Sequence, residues 1–257
     1  MKTVILAGGL GMRLREETEY RPKPMVDIGG KPILWHIMKI YTHYNARKFV
    51  ICLGYRGNMI KQYFLEYEAL NNDFTIQLGS DRGITYHSRH EEQGFEVTLA
   101  DTGENVMTGG RVKKIEKYID TDTFMVTYGD GLTNVNINEL LKFHYSHGLI
   151  ATVTTVKTSS RWGVVNVGED GKVSNFEEKP LGGWVNAGFF VFNRKIFDYL
   201  EGDDCVLEQK PLYTLARENQ LAAYRHEGPF LVMDTYREYI ALNKLWDKGE
   251  APWKIWK

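Results

Sequence analysis

Residues 2–14 read KTVILAGGLGMRL, and residues 21–25 read RPKPM. Val4-Ile5-Leu6 is an apolar run of strand type. It passes straight into a loop that holds Gly8, Gly9 and Gly11. Arg13 closes that loop, and Lys23 follows between Pro22 and Pro24. Glycines let the backbone turn sharply and come close to a ligand with no Cβ in the way. N–H groups exposed in such a loop grip phosphate or a base edge, and two nearby cations match a polyphosphate. The stretch is neither a P-loop, since no Gly-Lys-Ser/Thr follows, nor a good dinucleotide fingerprint. It predicts a strand followed by a cradle for a nucleoside triphosphate. A residue before proline is pushed away from helix, so Lys23 is expected in stiff, extended backbone.

Working outward, KPILWHIMKIYTHYN carries Ile33, Leu34, Ile37, Met38 and Tyr41 at helical spacing. KFVICLGY is the next strand and GNMIKQYFLEYEAL a second helix. Strand–helix–strand–helix order predicts parallel strands with crossover helices, an α/β fold. From Asn71 to Glu104 short strand-like pieces interrupt this rhythm. GGRVKKIEKYI is helical, TFMVTYGDG is an apolar strand ending in an acid, and NINELLKFHYSHG is a helix closed by Gly148. From Ile150 onward strands dominate until the helix of TYREYIALNKLWDKG. The expectation is a single domain, residues 1–257, with a nucleotide-binding half over about 1–149 and a strand-rich half over about 150–257. Both halves line one cleft at the carboxyl ends of the strands.

Composition narrows the classes. The chain has 257 residues, 43% of them hydrophobic, so a sizeable core is available. The net charge of −1 supplies no global field toward nucleic acid or an anionic membrane, so phosphate recognition has to be local. Cys52 and Cys205 are the only cysteines, which is neither a disulfide framework nor a metal set, and a reducing compartment suits them. No apolar run approaches the ~20 residues of a membrane span, and no signal peptide is visible.

Asp130, in TYGDGL, follows an apolar strand and stands between glycines. A carboxylate there is placed to hold Mg²⁺ on a phosphate, because Mg²⁺ takes one or two carboxylates plus water and substrate oxygens. A plain turn aspartate is the alternative. Asp234, in FLVMDTYRE, is its natural partner, with a helix N-cap as the alternative role. Glu177-Glu178-Lys179-Pro180 offers a carboxylate for sugar hydroxyls and an ammonium for a phosphate; alone, it reads as an exposed turn. Gly163 and Asn186 are possible lining residues. Thr102 offers a hydroxyl, and Arg111 a donor for a pyrimidine carbonyl or a phosphate. His144 and His147 lack a third ligand and are expected to face solvent or to cap.

These motifs together resemble the sugar-1-phosphate nucleotidylyltransferases, nearest to the branch that joins CTP to glucose 1-phosphate. The resemblance runs from VILAGGLG through KPMVDIGGKPILWHIMK, DTGENVMTGGR, TYGDG, FEEKP and NAGFFVF to MDTYRE and LWDKGEAPWKIW. It implies a Rossmann-like mixed, mostly parallel sheet flanked by helices. It implies nucleotide contacts from Leu6, Ala7, Gly8, Gly9, Gly11, Met12, Arg13, Lys23, Thr102 and Arg111, and sugar-phosphate contacts from Gly163, Glu178, Lys179 and Asn186. Asp130 and Asp234 become Mg²⁺ ligands, and Arg13 and Lys23 join them in catalysis. The reaction implied is in-line attack of the sugar phosphate on the α-phosphorus of CTP, giving CDP-glucose and pyrophosphate. A cytoplasmic homohexamer serving nucleotide-sugar and lipopolysaccharide O-antigen biosynthesis is also implied. Met12, Ala187, Leu207 and Lys210 stand where the family usually has Thr, Gly, Trp and an acid. Three other readings remain open on the residues alone: the same chemistry with another NTP or sugar 1-phosphate, a nucleotide-sensing homologue without activity, and a cytidylyltransferase of the phosphocholine type.

Overall fold

The computed structural model describes residues 1–79, 83–88, 90–159, 164–167, 169, 172–177 and 181–256. Its frame is an eight-stranded mixed sheet. In chain order the strands are β1 (Lys2–Leu6), β2 (Lys48–Leu53), β3 (Glu96–Asp101), β4 (Thr123–Tyr128), β5 (Ala151–Ser159), β6 (Leu181–Asn186), β7 (Phe190–Asn193) and β8 (Leu221–His226). Across the sheet the order is β6-β5-β7-β4-β1-β2-β3, with β8 paired to β5. β4, β1, β2 and β3 are mutually parallel, and β8 is parallel to β5. β7 runs antiparallel to both β4 and β5, and β6 is antiparallel to β5. One sheet therefore runs through both halves of the chain.

The first strands are apolar on successive residues because both faces of the sheet are covered. Val4 and Ile5 are both fully buried, yet they belong to different cores. Ile5 joins Ile51, Leu53 and Met125 under helix α1 (Ile33–His43). Val4 joins Val50, Val126 and Val112, the last from helix α2 (Thr108–Lys114), on the other face. α1 starts after Pro32, whose extended backbone ends the preceding ribbon. Helix α3 (Ile137–His147) is capped by the Asn136 side chain and closed by Gly148 at φ +66°, a conformation that favours glycine. The stretch expected as one helix over 57–70 is two, Gly57–Leu65 and Tyr67–Asn71, broken at Glu66.

The insertion between β2 and β3 contributes a separate hairpin, Phe74–Ile76 with Ile84–Tyr86, and only β3 joins the main sheet. His144 is buried, while His147 is half-buried and its Nδ1 accepts from Leu149 N–H at 2.9 Å just past the helix end, a capping contact. His144 is 4% exposed, and both imidazoles meet the Thr152 hydroxyl, each at 2.8 Å, docking α3 on β5. No helix among the described residues is long and apolar enough to cross a membrane.

Candidate active site

The strand β1 ends at Leu6, and the chain turns over the sheet edge at Ala7 and Gly8. Ala7 N–H donates to Cys52 O at 3.0 Å, and Tyr55 N–H donates to Gly8 O at 3.2 Å, so the loop is stitched to the end of β2. Leu6, Ala7 and Gly8 are buried, while Gly9, Met12 and Arg13 are exposed. Gly11 has φ +62°, and a Cβ there would lie 2.8 Å from Thr18 Cγ2. Glycine is required at this position on both counts. Met12 begins a single 3-10 turn over Met12–Leu14 and is 66% exposed.

Arg111 and Thr102 sit under this loop rather than on its open side. Arg111 is 4% exposed, and its guanidinium makes no carboxylate pair among the described residues. Nη2 donates to Gly8 O at 2.9 Å and Glu104 O at 3.0 Å. Nη1 donates to Leu53 O, Thr102 Oγ1 and Gly103 O at 2.7–3.1 Å. Burial pulls the guanidinium below its usual pKa, and these oxygens offset the loss of water. The Thr102 hydroxyl is spent in the same way, donating to Leu53 O at 2.6 Å. A Cβ on Gly8 would lie 2.1 Å from Arg111 Nη1, so this glycine makes room for the arginine below as well as for a ligand above. Together, Arg111 and Thr102 hold the loop's shape from beneath.

Lys23 heads a 3-10 turn, Lys23–Met25, instead of lying in an extended run; only Pro22 before it is extended, with ψ 146°. Its Nζ lies 2.8 Å from Asp130 Oδ2 and 2.8 Å from Asp234 Oδ1. Two oxygens equally close to one nitrogen cannot be further apart than twice that distance, so residues 104 positions apart in sequence share one cation. Arg13 Nη1 adds a 2.5 Å contact to Asp234 Oδ2. The cluster is largely withdrawn from water, the Lys23, Asp234 and Asp130 side chains being 11%, 8% and 29% exposed, while that of Arg13 is 74% exposed.

The reason the acids meet is a small antiparallel pairing that the sequence does not announce. Phe230–Val232 pairs with Gly131–Thr133, and Met233 N–H donates to Asp130 O at 3.0 Å. That brings Asp234 beside the turn that carries Asp130. Asp234 is not the cap of the last helix, Tyr236–Asp247. Thr235 is, in a capping box with Glu238, whose carboxylate accepts from the N–H groups of both Asp234 and Thr235 at 2.9 Å. The Asp234 carboxylate is thereby left for cations.

Asn186, at the end of β6, is exposed; its Oδ1 accepts from Gly188 N–H at 2.7 Å and its Nδ2 donates to Tyr128 Oη at 3.2 Å. Gly163, Glu178 and Lys179 lie outside the described residues. Ala187 and Leu207 are buried, and Leu207 belongs to the core on the Val4 side of the sheet. Lys210 is a surface lysine paired with Glu201. Tyr128, Thr108 and Glu208, which the motif reading passed over, converge beside Asp130's strand. The signal available for Tyr128 was its place two residues before Asp130; Glu208 had none beyond its neighbours in CVLEQKP.

A glycine cradle and Asp130 at the carboxyl ends of parallel strands, with Arg13, Lys23 and Asp234 gathered beside them, define an α/β enzyme that handles phosphorylated substrates. The chain belongs to the nucleotidyl transferase family, whose model matches residues 2–228. It is 46% identical over 260 residues to a glucose-1-phosphate cytidylyltransferase of Salmonella typhi, the alignment covering 100% of both chains. It is 43% identical to a protein of Bacillus subtilis named as a probable glucose-1-phosphate cytidylyltransferase, again over 100% of both. Among solved structures it resembles the CTP:phosphocholine cytidylyltransferase of Streptococcus pneumoniae with a TM-score of 0.62 and 18% identity, covering 95% of this chain and 98% of that one. That likeness concerns the fold alone.

Proposed function

We propose that the chain transfers a cytidylyl group from CTP to glucose 1-phosphate, giving CDP-glucose and pyrophosphate. End-to-end identity to relatives named for that reaction supports the substrates. The observation that carries the chemistry is the meeting of Asp130 and Asp234 on one cation at the mouth of the glycine loop.

The donor set fits Mg²⁺. Two carboxylates already held together around an ammonium form a hard, anionic oxygen pair. Among the described residues no group of three or more His, Cys, Asp or Glu gathers for a metal, so water and phosphate would complete the shell. Asp130 and Asp234 would hold the ion, which supplies charge neutralisation on the phosphates when bound.

The remaining work falls to the chain's own groups. The loop from Leu6 to Gly11, kept in shape by Arg111 and Thr102, positions the nucleotide. Arg13, whose side chain is exposed while its guanidinium rests on Asp234, meets the triphosphate and stabilises the pyrophosphate as it leaves. Lys23 lies between the acids and Gly11, where a Cβ would be 3.3 Å from Lys23 Cβ, so its ammonium serves the phosphates from the same spot. A sugar-phosphate oxygen attacks the α-phosphorus, the bond to pyrophosphate breaks, and the incoming oxygen already carries the negative charge. No protein nucleophile or base is needed, and catalysis is positioning plus neutralisation of charge. Glu178, Lys179, Gly163 and Asn186 are assigned to the sugar phosphate.

A homo-oligomer is part of the same proposal. The chain exposes 14322 Å², against about 11,600 Å² expected of a globular monomer of its mass. Exposed Phe74, Ile76, Leu78 and Ile84 on the hairpin of the insertion contribute to that excess. A cytoplasmic location and a place in O-antigen nucleotide-sugar synthesis complete the reading.

The test is pyrophosphate release across CTP, UTP, dTTP and GTP with a panel of sugar 1-phosphates, repeated on Asp130→Ala. CTP with glucose 1-phosphate is expected to stand out, and the variant to lose turnover by orders of magnitude with an unchanged circular-dichroism spectrum. Near-normal turnover of Asp130→Ala removes the metal assignment; a different best pair replaces the substrates.

A further inference from the structure

The Glu208 carboxylate joins three separate pieces of the molecule. Its Oε1 accepts from the Tyr128 hydroxyl at 2.5 Å, and its Oε2 accepts from the Thr108 hydroxyl at 2.7 Å. Tyr128 is the last residue of β4, two before Asp130. Thr108 opens α2, the helix that carries Arg111. Tyr128 Oη in turn accepts from Asn186 Nδ2, and Thr108 Oγ1 accepts from Leu207 N–H at 3.0 Å. The donors therefore run in one direction from each end and terminate on a single carboxylate.

The surroundings hold this line of groups in place. The segment carrying Glu208 lies directly on α2, where Cβ atoms on Gly109 and Gly110 would come within 2.6 Å of Cys205 Sγ and 2.8 Å of Asp203 O. The glycine pair of MTGGR thus makes room for the 203–207 segment. On the other side, Gly188 packs on the Tyr128 ring, where a Cβ would lie 2.8 Å from Cδ2, and Phe190 meets the ring edge-on at 5.9 Å. Burial, then the Glu208 charge, push the phenol's pKa up, so Tyr128 stays a proton donor to Glu208.

Charge decides which substrate this wall serves. A carboxylate repels a polyphosphate, and the cations that suit the triphosphate, Arg13 and Lys23, gather at the acid pair instead. A carboxylate–phenol–amide row suits an uncharged, hydroxyl-bearing ring. We propose that Glu208 is a positioning residue for the sugar side of the cleft: by fixing the Tyr128 hydroxyl, and through it the Asn186 amide, it sets the affinity for the sugar 1-phosphate. The inference rests on the proposed reaction and adds to it a residue that touches neither phosphate nor metal.

Steady-state kinetics of Glu208→Gln, Tyr128→Phe and the double variant test it. A glutamine keeps the size but offers one acceptor oxygen where two hydroxyls need one each. KM for glucose 1-phosphate is expected to rise about tenfold in each single variant, with kcat and KM for CTP within about threefold of wild type. Groups acting as one unit are non-additive, so the double variant should be no worse than the worse single one. Glu208→Asp, which keeps both acceptors, should recover part of the loss. A parallel rise in both KM values, an additive double variant, a fall in kcat and thermal midpoint with both KM values unchanged, or no change at all overturns the inference. Calorimetry with glucose 1-phosphate separates the two claims. A wild-type chain that binds it but makes no CDP-glucose defeats the reaction, and weaker binding by Glu208→Gln still upholds the positioning role. Absence of binding defeats both.

Discussion

Replacing Lys23 by methionine removes the cation that joins Asp130 and Asp234 while keeping the length of the side chain. Both Lys23 contacts are 2.8 Å, and Lys23 and Asp234 are about nine-tenths withdrawn from solvent. Removing one partner of a buried ion pair leaves an uncompensated charge and costs roughly 3–5 kcal/mol. Asp130 is partly solvated and Arg13 keeps its contact with Asp234, which places the loss at the lower end, about 3 kcal/mol. The Arg13 side chain is 74% exposed, so its pairing recovers no more than about 1 kcal/mol. For a domain of this size the thermal midpoint should fall by roughly 6–12 °C. The variant then has an acid pair without its ammonium, and MgCl₂ has no lysine to displace. At about 100 times the dissociation constant, binding restores about 2.7 kcal/mol, most of the loss. Differential scanning fluorimetry with EDTA and with MgCl₂ reads both effects without any turnover. The wild type should gain less from MgCl₂ than the variant does, and turnover should be lost in the variant even where stability returns. A Lys23→Met protein as stable as wild type in EDTA, or one indifferent to MgCl₂, would refute the shared-cation account.

His36 is fully buried, with Nε2 donating to Ile28 O at 2.9 Å and Nδ1 accepting from Trp253 Nε1 at 3.3 Å, and burial lowers its pKa to about 4. The unfolded chain therefore takes up the proton first as pH falls, so stability is full above pH 6.5 and declines toward pH 4. The slope is about 1.4 kcal/mol per pH unit for such a histidine, and His144, lowered to about 4 mainly by burial, adds a second. Urea unfolding at pH 7.5 and pH 5 reads this, and equal stabilities would show that neither imidazole is held neutral. Gly8→Ala drives a Cβ into Arg111, whose five hydrogen bonds leave it nowhere to go; KM for CTP should rise at least tenfold, and an unchanged value would mean the loop does not depend on the arginine beneath it. Thr235→Ala removes the side-chain half of the last helix's capping box and should cost about 1 kcal/mol, seen as a lower urea midpoint; no shift would mean that Glu238 alone secures the helix start.

Local chemistry made much of this molecule legible. Val4-Ile5-Leu6 is apolar on every residue because both faces of β1 are covered, and Gly8 and Gly11 after it mark where backbone must pass close to other atoms. The helix over 33–43, the strand that ends before Gly129-Asp130 and the helix closed by Gly148 followed from periodicity and terminal residues. Residue type and local context, an RPKP segment after the glycine loop and acids directly after apolar runs, picked out Lys23, Asp130 and Asp234. What the chain did not show locally was how those residues are spent. Arg111 resembled a ligand contact, yet its donors go to carbonyls of Gly8, Leu53, Gly103 and Glu104, which only the packing of α2 beneath the loop brings together. Asp234, read as the partner of Asp130, had a helix cap as its alternative role, and Thr235 took that role one residue later. Glu208 carried no signal because its partners, Tyr128 and Thr108, are 80 and 100 residues away. Periodicity and turn chemistry are properties of neighbours in sequence, so the sequence by itself determined the elements and the kinds of charge the cleft would contain. Contacts between distant segments depend on how strands are ordered and which short ribbons pair, so only the tertiary structure decided that Phe230–Val232 would lie on Gly131–Thr133 and set the two acids around one lysine.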